Sequence, residues 1–199
     1  LREIINNIGV FIENNATPLF QQRVTLEMEH FRDFIKLLSS GTLVTGALDN
    51  DAIIDLIDQT SAEFTVISPS STDIQWWYSP RGKKFWKANL VALEKGVQIH
   101  RIFLFENISE EIKLLMDEQF NAGIKVYWAY FQEIPVNLRN GFGVFDSSVG
   151  YRLLQATDGE VKGYEFTTDV AKVREMKEQL KKIKYLSKQY HSETENFQN

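Results

Sequence analysis

Short runs of β-branched and aromatic residues alternate with helical patterns through the middle of this chain. Four runs have the composition of strands: TLVTGAL (42–48), EFTVIS (63–68), VQIHRIFLF (97–105) and IKVYWAY (124–130). The segments between them, such as DNDAIIDLIDQT (49–60), carry the three- and four-residue apolar spacing of helices. Because a crossover helix lets the next strand run in the same direction, the alternation predicts parallel βαβ units.

Three further strand-like runs follow without helices between them. They are GFGVFD (141–146), VGYRLLQ (149–155) and GYEFTT (163–168), joined by Ser-Ser and by a turn around Asp158-Gly159. Such short connections predict an antiparallel meander. We therefore expect an α/β fold with a mixed, mostly parallel sheet and helices on both faces.

Helices are predicted at both ends of the chain. Thr17-Pro18 is a typical helix start, and Ser39-Ser40-Gly41 a typical end. Ser109 is placed to cap a helix after the strand at 97–105, and near the C-terminus Asp169 is placed to cap a last helix with heptad-like apolar spacing. That seam consists of Val173, Met176, Leu180, Ile183 and Tyr190. The predicted organisation is a helical segment at 1–41, an α/β domain at 42–168, and an amphipathic helix with its tail at 169–199.

Composition limits the function. The 199 residues carry a net charge of −5, which argues against a general nucleic-acid binder, although a local basic pocket remains compatible with it. There are no cysteines, so thiolate metal sites and cysteine nucleophiles are absent. No apolar run is long enough to cross a bilayer, and we predict a cytoplasmic protein. The first residue is leucine, which favours one domain of a larger protein.

The stretch WWYSPRGKKFWK (76–87) concentrates aromatic and basic side chains between a predicted strand and a predicted helix. Ligands of α/β sheets bind beyond the carboxyl ends of parallel strands, and the strand at 63–68 ends immediately before this loop. The predicted ligand-binding residues here are Ser68, Ser70, Trp76, Trp77, Tyr78, Arg81 and Lys84. An anion at the helix N-terminus would offset the unfavourable position of its lysines in the first turn. The alternative is that the tryptophans only cover the end of the sheet.

Three segments in this order resemble one half of a phospholipase D superfamily fold. They are KFWKANLVALEKGVQIHRIFLFE (84–106), EQFNAGIKVYWA (118–129) and GFGVFDSSVGYRLL (141–154). The resemblance extends over roughly residues 42–168. The last segment falls where the family carries its H-x-K-x4-D motif.

The motif residues themselves differ. If Asp146 is the motif aspartate, Gly141 stands at the lysine and Arg139 at the histidine. The family's chemistry needs that histidine as a nucleophile toward phosphorus. We therefore expect a half-site without its nucleophile, in which Arg139 and Asp146 join the candidate ligand-binding residues. The alternatives are a solvated loop arginine and a strand-end aspartate bonded to a turn.

The resemblance implies a non-catalytic sensor or interaction domain that binds a small anionic or polyhydroxylated ligand. Domains of this fold without the motif are similar to the effector-binding part of some sugar-sensing transcriptional regulators. We expect a homodimer through the terminal helices, and neither a cofactor nor a metal. A phosphodiesterase or nuclease with a rearranged site is the competing hypothesis, and it would need His100 or a carboxylate to replace the nucleophile. A structural or assembly module without a ligand is the third.

Overall fold

The computed structural model describes residues 10, 17–46, 51–69, 74–155 and 161–192. They fall into two units, residues 1–43 and 44–199. Within these described ranges, no helix has the length and apolar character needed to cross a membrane.

In the described part of the first unit, the long helix is α1 (Pro18–Ser39). It begins and ends where the sequence predicts. Gly41 follows with a left-handed backbone (φ 70°), and its N–H donates to the Leu38 carbonyl at 3.0 Å. This is the usual way in which glycine terminates a helix.

The second unit alternates helices and strands in the predicted order. Its strands are β1 (Thr42–Gly46, which begins in the first unit), β2 (Glu63–Pro69), β3 (Gln98–Phe105), β4 (Lys125–Tyr130), β5 (Phe142–Phe145), β6 (Val149–Gln155), β7 (Val161–Thr167) and β8 (Lys188–Gln189). Its helices are α2 (Asp51–Gln59), α3 (Ile74–Tyr78), α4 (Pro80–Glu94), α5 (Glu110–Asn121) and α6 (Val170–Leu186), with 3-10 turns at Phe131–Glu133 and Val136–Leu138.

The strands form one sheet in the order β1-β7-β6-β5-β2-β3-β4-β8. The β2–β3 and β3–β4 pairs are parallel, whereas β2–β5, β5–β6, β6–β7 and β4–β8 are antiparallel. The α/β class and the closing meander are confirmed, but the prediction of a mostly parallel sheet is wrong. β5, β6 and β7 run in alternating directions without crossover helices among the described residues, and β8 adds another antiparallel strand.

Helices cover both faces of the sheet, as predicted. Alternate residues of β3 point to opposite faces. Ile102 and Leu104 join a buried cluster with the apolar seam of α6, which comprises Val173, Met176, Leu180 and Ile183. On the other face, Arg101 contacts Asn89 of α4.

The last helix is shorter than its sequence pattern suggests. Ser109 and Asp169 cap α5 and α6 as predicted, because their side chains accept from Ile112 N–H and Lys172 N–H. The seam, however, ends with the helix at Leu186, and Tyr190 lies beyond β8. The Tyr190 hydroxyl donates to Asp117 Oδ1 at 2.9 Å.

The predicted loop between β2 and α4 contains a helix that the sequence reading missed. α3 is one and a half turns long and is followed at once by α4, whose N-cap is Ser79. A Cβ at Gly82 would lie 2.7 Å from the Trp77 Cα, so glycine allows the two helices to meet at a close corner.

Candidate functional site

A cavity of about 300 Å³ lies where β2 ends, on the sheet face that α4 covers. Strands β2, β3, β6 and β7 and helices α2, α3 and α4 contribute its lining, which consists of Ile53, Ile54, Ile67, Ser68, Pro69, Trp76, Trp77, Arg81, Phe85, Arg101, Tyr151, Leu153, Val161 and Tyr164. These described residues include two arginines and no carboxylate, imidazole or lysine. The described lining is therefore cationic, in a chain whose net charge is −5.

Arg101 is the buried cation of this cavity, with only 2% of its surface exposed. Its Nη2 donates to Asn89 Oδ1 at 2.8 Å, and its Nη1 lies 3.4 Å from the Ser68 hydroxyl oxygen. Its Nε is buried and has no hydrogen-bond partner. Both partners are neutral, so among the described residues the guanidinium has no counter-charge.

Aromatic rings flank this guanidinium. The Arg101 Cζ lies 5.1 Å from the centroid of the Trp77 ring and 5.2 Å from that of Phe85, within the range of cation–π attraction. Trp77 and Phe85 meet edge to face at 5.8 Å, and Trp76 meets Phe85 at 5.6 Å. The close corner between α3 and α4 brings these three rings together.

Burial changes the pKa of both ionisable groups at the base of the cavity. It lowers the pKa of Arg101 to about 10, although the neighbouring Tyr151 acts in the opposite direction. Burial also raises the pKa of Tyr151 to about 12, because its effect is larger than the opposing effect of Arg101. At neutral pH the guanidinium therefore stays charged and the phenol keeps its proton.

Glycines on β5 and in the loop before it leave no side chain on this face. A Cβ at Gly143 would lie 2.5 Å from Val66 Cγ1 and 2.8 Å from Tyr151 Cε1, so any larger residue would collide. A Cβ at Gly141 would overlap the Leu153 side chain. The resemblance would put a lysine at position 141. Leu153 occupies the space that such a side chain would need.

Four of the predicted ligand-binding residues line this cavity, namely Ser68, Trp76, Trp77 and Arg81. Tyr78 and Lys84 are exposed and lie outside the lining. Ser70 lies outside the described residues. Whether any of these side chains binds a ligand stays a prediction.

Arg139 and Asp146 are not brought to the cavity. The Arg139 Nε donates to the Ile134 carbonyl at 2.8 Å. Asp146 lies at the opposite end of β5 and accepts four hydrogen bonds, from the backbone N–H groups of residues 61, 62 and 63 and from the Ser61 hydroxyl, at 2.8–3.0 Å. This geometry matches the alternative of a strand-end aspartate bonded to a turn.

The Asp146 carboxylate is stabilised in its charged form. Partial burial acts to raise its pKa, but the four hydrogen bonds outweigh it and lower the pKa below the usual value. Asp146 and Ser147 adopt left-handed backbone angles (φ 45° and 58°), and together they form the tight connection between β5 and β6.

Sequence reasoning missed Arg101 as the centre of the site. A signal was present, since an arginine directly before the apolar run IFLF (102–105), within the same strand, must be buried or must change the strand's register. The neighbouring His100, considered for the enzyme hypothesis, points to the other face. It accepts from Lys184 Nζ at 2.8 Å, and burial, then Lys184 and Lys125, lower its pKa to about 4.

The described residues show no pattern of a metal site. No group of three or more His, Asp or Glu among the described residues is arranged to hold an ion.

Solved structures with the same fold have little sequence identity to this chain. Nuc, a phospholipase D family member from Salmonella typhimurium, has a TM-score of 0.57 and 15% identity over 76% of this chain and 98% of its own. NucT from Helicobacter pylori has a TM-score of 0.56 and 10% identity, over 75% of this chain and 97% of its own. TrmBL2, an archaeal chromatin protein with a novel mode of DNA binding, has a TM-score of 0.53 and 10% identity, over 95% and 69%. No family model and no curated protein matches the sequence.

Identities of 10% to 15% carry information on fold alone. The likeness to Nuc covers nearly all of that protein. The resemblance drawn from the three sequence segments is thus confirmed at this level: the chain has a phospholipase-D-like fold.

Proposed function

We propose that this domain binds a small anionic or polyhydroxylated ligand in the cavity at the end of β2, without catalysing its turnover, and acts as a sensor or interaction module. The observation that carries the proposal is the buried guanidinium of Arg101, which faces a cavity and has no counter-charge among the described residues.

Burial of an unpaired ion lowers the free energy of unfolding. The effective penalty in proteins is several kcal/mol, and cation–π contacts with Trp77 and Phe85 offset about 0.5–2 kcal/mol each. Asn89 adds one hydrogen bond to a charged donor, which contributes about 1.5–3 kcal/mol. An anionic or hydroxylated ligand in the adjacent space would satisfy the remaining donors, including Nε.

The lining supports binding rather than catalysis. A covalent mechanism requires a nucleophile and a base within hydrogen-bond reach. The hydroxyl groups of the described lining belong to Ser68, Tyr151 and Tyr164, and none of the lining residues is an imidazole or carboxylate that could activate them. The raised pKa of Tyr151 further disfavours its phenolate.

A regulatory role is supported by analogy. TrmBL2 is a chromatin protein that binds DNA, and its likeness extends over 95% of this chain. We propose that the present domain has a regulatory role in which ligand binding is the signal.

A thermal-shift screen tests the binding proposal. Phosphorylated metabolites, carboxylic acids and sugars should include a compound that, at 100 times its Kd, stabilises the domain by about 2.7 kcal/mol. For a chain of this size the melting temperature would rise by roughly 5–10 °C. Arg81→Gln, at the exposed rim of the cavity, should reduce that shift. Lys87→Gln, on the same helix but outside the lining, should leave it unchanged.

Two results would contradict the proposal. The first is a screen in which no compound shifts the melting temperature. The second is hydrolysis of bis-p-nitrophenyl phosphate that His100→Ala abolishes, because it would restore the phosphodiesterase hypothesis.

Homodimerisation is a further part of this proposal, and we locate it on α1. Its apolar residues Val24, Met28, Phe31, Ile35 and Leu38 repeat at intervals of four and three, the spacing of a coiled-coil seam. Phe31, Ile35 and Leu38 are 36%, 37% and 44% exposed. The seam of α6, in contrast, is buried against its own sheet and is not available to a second subunit.

Light scattering tests the dimer. The unmodified chain should have the mass of two copies, and Ile35→Glu should yield a monomer because it places like charges across the seam. Glu29→Gln, at an exposed position on the same helix away from the seam and its flanks, is the matched control and should remain dimeric. A monomeric unmodified chain at high concentration would reject this part of the proposal.

A further inference from the structure

We infer that the ligand is a small organic acid: one carboxylate or phosphate group on an apolar, ring-sized body, held with the acidic group inward on Arg101. This inference rests on the proposed function and narrows it, since it excludes neutral sugars as the preferred ligand.

The acidic group is indicated by the base of the cavity. A guanidinium has five N–H donors in a planar fork that matches two oxygens of a carboxylate or phosphate. Arg101 uses two of its nitrogens on Asn89 and Ser68, the second at 3.4 Å, and its Nε has no partner. Because Arg101 is almost wholly buried, an anion bound there would be shielded from water, which strengthens the attraction.

A neutral sugar fits the polar groups poorly. Each sugar hydroxyl donates a hydrogen and needs an acceptor, for which binding sites usually supply carboxylates or amides. The described lining offers only the hydroxyl oxygens of Ser68, Tyr151 and Tyr164 as side-chain acceptors. The nearby amide of Asn89 is occupied on both sides, because its Oδ1 accepts from Arg101 and its Nδ2 donates to the Phe85 carbonyl at 2.7 Å.

The apolar body is indicated by the walls. Apart from the two arginines and the hydroxyl groups, the described lining is aromatic and aliphatic, with Trp76 on one element and Ile53, Ile54 and Leu153 on others. Its volume of about 300 Å³ is at the lower end of the range for ligand pockets. Arg81, exposed at the rim, could attract the acid on approach or pair with a second acidic group.

Titration calorimetry at pH 7 with four probes tests this inference. Benzoate and phenyl phosphate carry the two acidic groups, benzyl alcohol is a neutral ring of similar size, and glucose is the neutral polyol. At least one acid should bind about ten times more tightly than benzyl alcohol, a difference of about 1.4 kcal/mol. Tighter binding of benzoate would indicate a carboxylate ligand, and tighter binding of phenyl phosphate would indicate a phosphate ligand.

Arg101→Met identifies the residue responsible. It keeps an apolar side chain of similar length without the charge, so the preference for the acid should fall to less than about twofold. Lys87→Gln should keep it. If Arg101→Met does not fold, as judged by circular dichroism, the double variant Arg101→Met/Asn89→Leu removes the unpaired amide oxygen as well and serves in its place.

The outcomes separate the two proposals. Tighter binding of glucose than of both acids overturns the organic acid and leaves the binding proposal intact. An acid preference that survives Arg101→Met also overturns it, because the anion is then held elsewhere. If none of the probes binds at millimolar concentrations and the thermal-shift screen is also empty, both proposals fail.

Discussion

The two ends of β2 lie next to opposite charges, which the fold holds in opposite ways. At one end, the Asp146 carboxylate accepts four hydrogen bonds from the start of β2. At the other end, the Arg101 guanidinium has one short hydrogen bond, one of 3.4 Å, and a buried Nε without a partner. Among the described residues, the anion has all its hydrogen-bond partners and the cation does not.

This difference separates a charge with a structural role from one to which we assign ligand binding. A carboxylate with all its acceptors filled joins two strands and gains nothing from a ligand. A buried cation with unfilled donors lowers the stability of the domain, and under the proposed function a bound anion would offset that loss.

Replacement of Asp146 by alanine should have the largest effect on stability. It removes four acceptor contacts and leaves the N–H groups at the start of β2 without partners. We expect a loss of about 2–3 kcal/mol, since hydrogen bonds to charged groups contribute about 1.5–3 kcal/mol each and this site is partly open to water. Chemical denaturation of Asp146→Ala and the parent chain measures it.

Asp169→Ala provides a control, because it removes a carboxylate that caps α6 through one hydrogen bond. That variant should lose only about 1 kcal/mol. Equal losses in the two variants would mean that the four bonds of Asp146 act no more strongly than a single cap.

The pH dependence of the Asp146 contribution should be smaller, with a definite sign. Its pKa is lowered in the folded state, so the stabilisation is complete above the unfolded pKa of about 3.9 and is lost as the pH falls through the folded value. Asp146→Asn cannot titrate. The stability difference between the parent chain and this variant, about 1 kcal/mol after allowance for solvent screening, should therefore shrink below pH 4. A difference that is constant down to pH 2 would contradict this account.

The sequence was sufficient for most of the fold. Apolar spacing and helix caps such as Ser109 and Asp169 act locally, so they could be read directly. Sheet direction is a nonlocal property: β5 pairs with β2, about 80 residues away, and no local signal gives that partner. α3 was missed because its five residues are too short for periodicity and form only where Gly82 lets α4 pack against them.

The site was predicted only in part, because some of its residues follow from local signals and others depend on nonlocal pairing. The loop after β2 had to lie at the edge of the sheet, which correctly placed Trp76, Trp77 and Arg81 around the cavity. Arg101 depends on the register between β2 and β3 and on the position of Asn89, three elements that meet only in the folded chain. A charged residue within a buried strand was the available signal.

Loss of the Arg101 charge should change stability less than loss of Asp146. In the absence of ligand, the free energy of unfolding of Arg101→Met/Asn89→Leu should be within about 1 kcal/mol of the parent value, or higher. Replacement of a buried ion by packed apolar groups is often neutral or stabilising. Chemical denaturation without added anions measures this. A loss of more than about 3 kcal/mol would show that the guanidinium is a structural element, and the contrast between the two ends would disappear.

His100, next to Arg101 but on the opposite face, provides the smallest test. An imidazole can avoid an unpaired charge by losing its proton, which a guanidinium cannot do, and burial, Lys184 and Lys125 lower its pKa to about 4. Because this pKa is below the unfolded value of 6.5, the folded state binds fewer protons, and stability should fall as the pH drops from 6.5 towards 4.

Lys184→Met removes the second of these causes and should raise the pKa of His100, which NMR titration of the imidazole measures directly. The acid-induced loss of stability should then decrease by about 0.5 kcal/mol, since His100 is only half-buried and its charge is screened. Lys181→Met, one turn earlier on α6 and paired with Glu178, is the control and should leave the His100 pKa in place. An unchanged pKa in Lys184→Met would mean that Lys184 does not help to keep His100 neutral, which would leave burial and Lys125 as the causes.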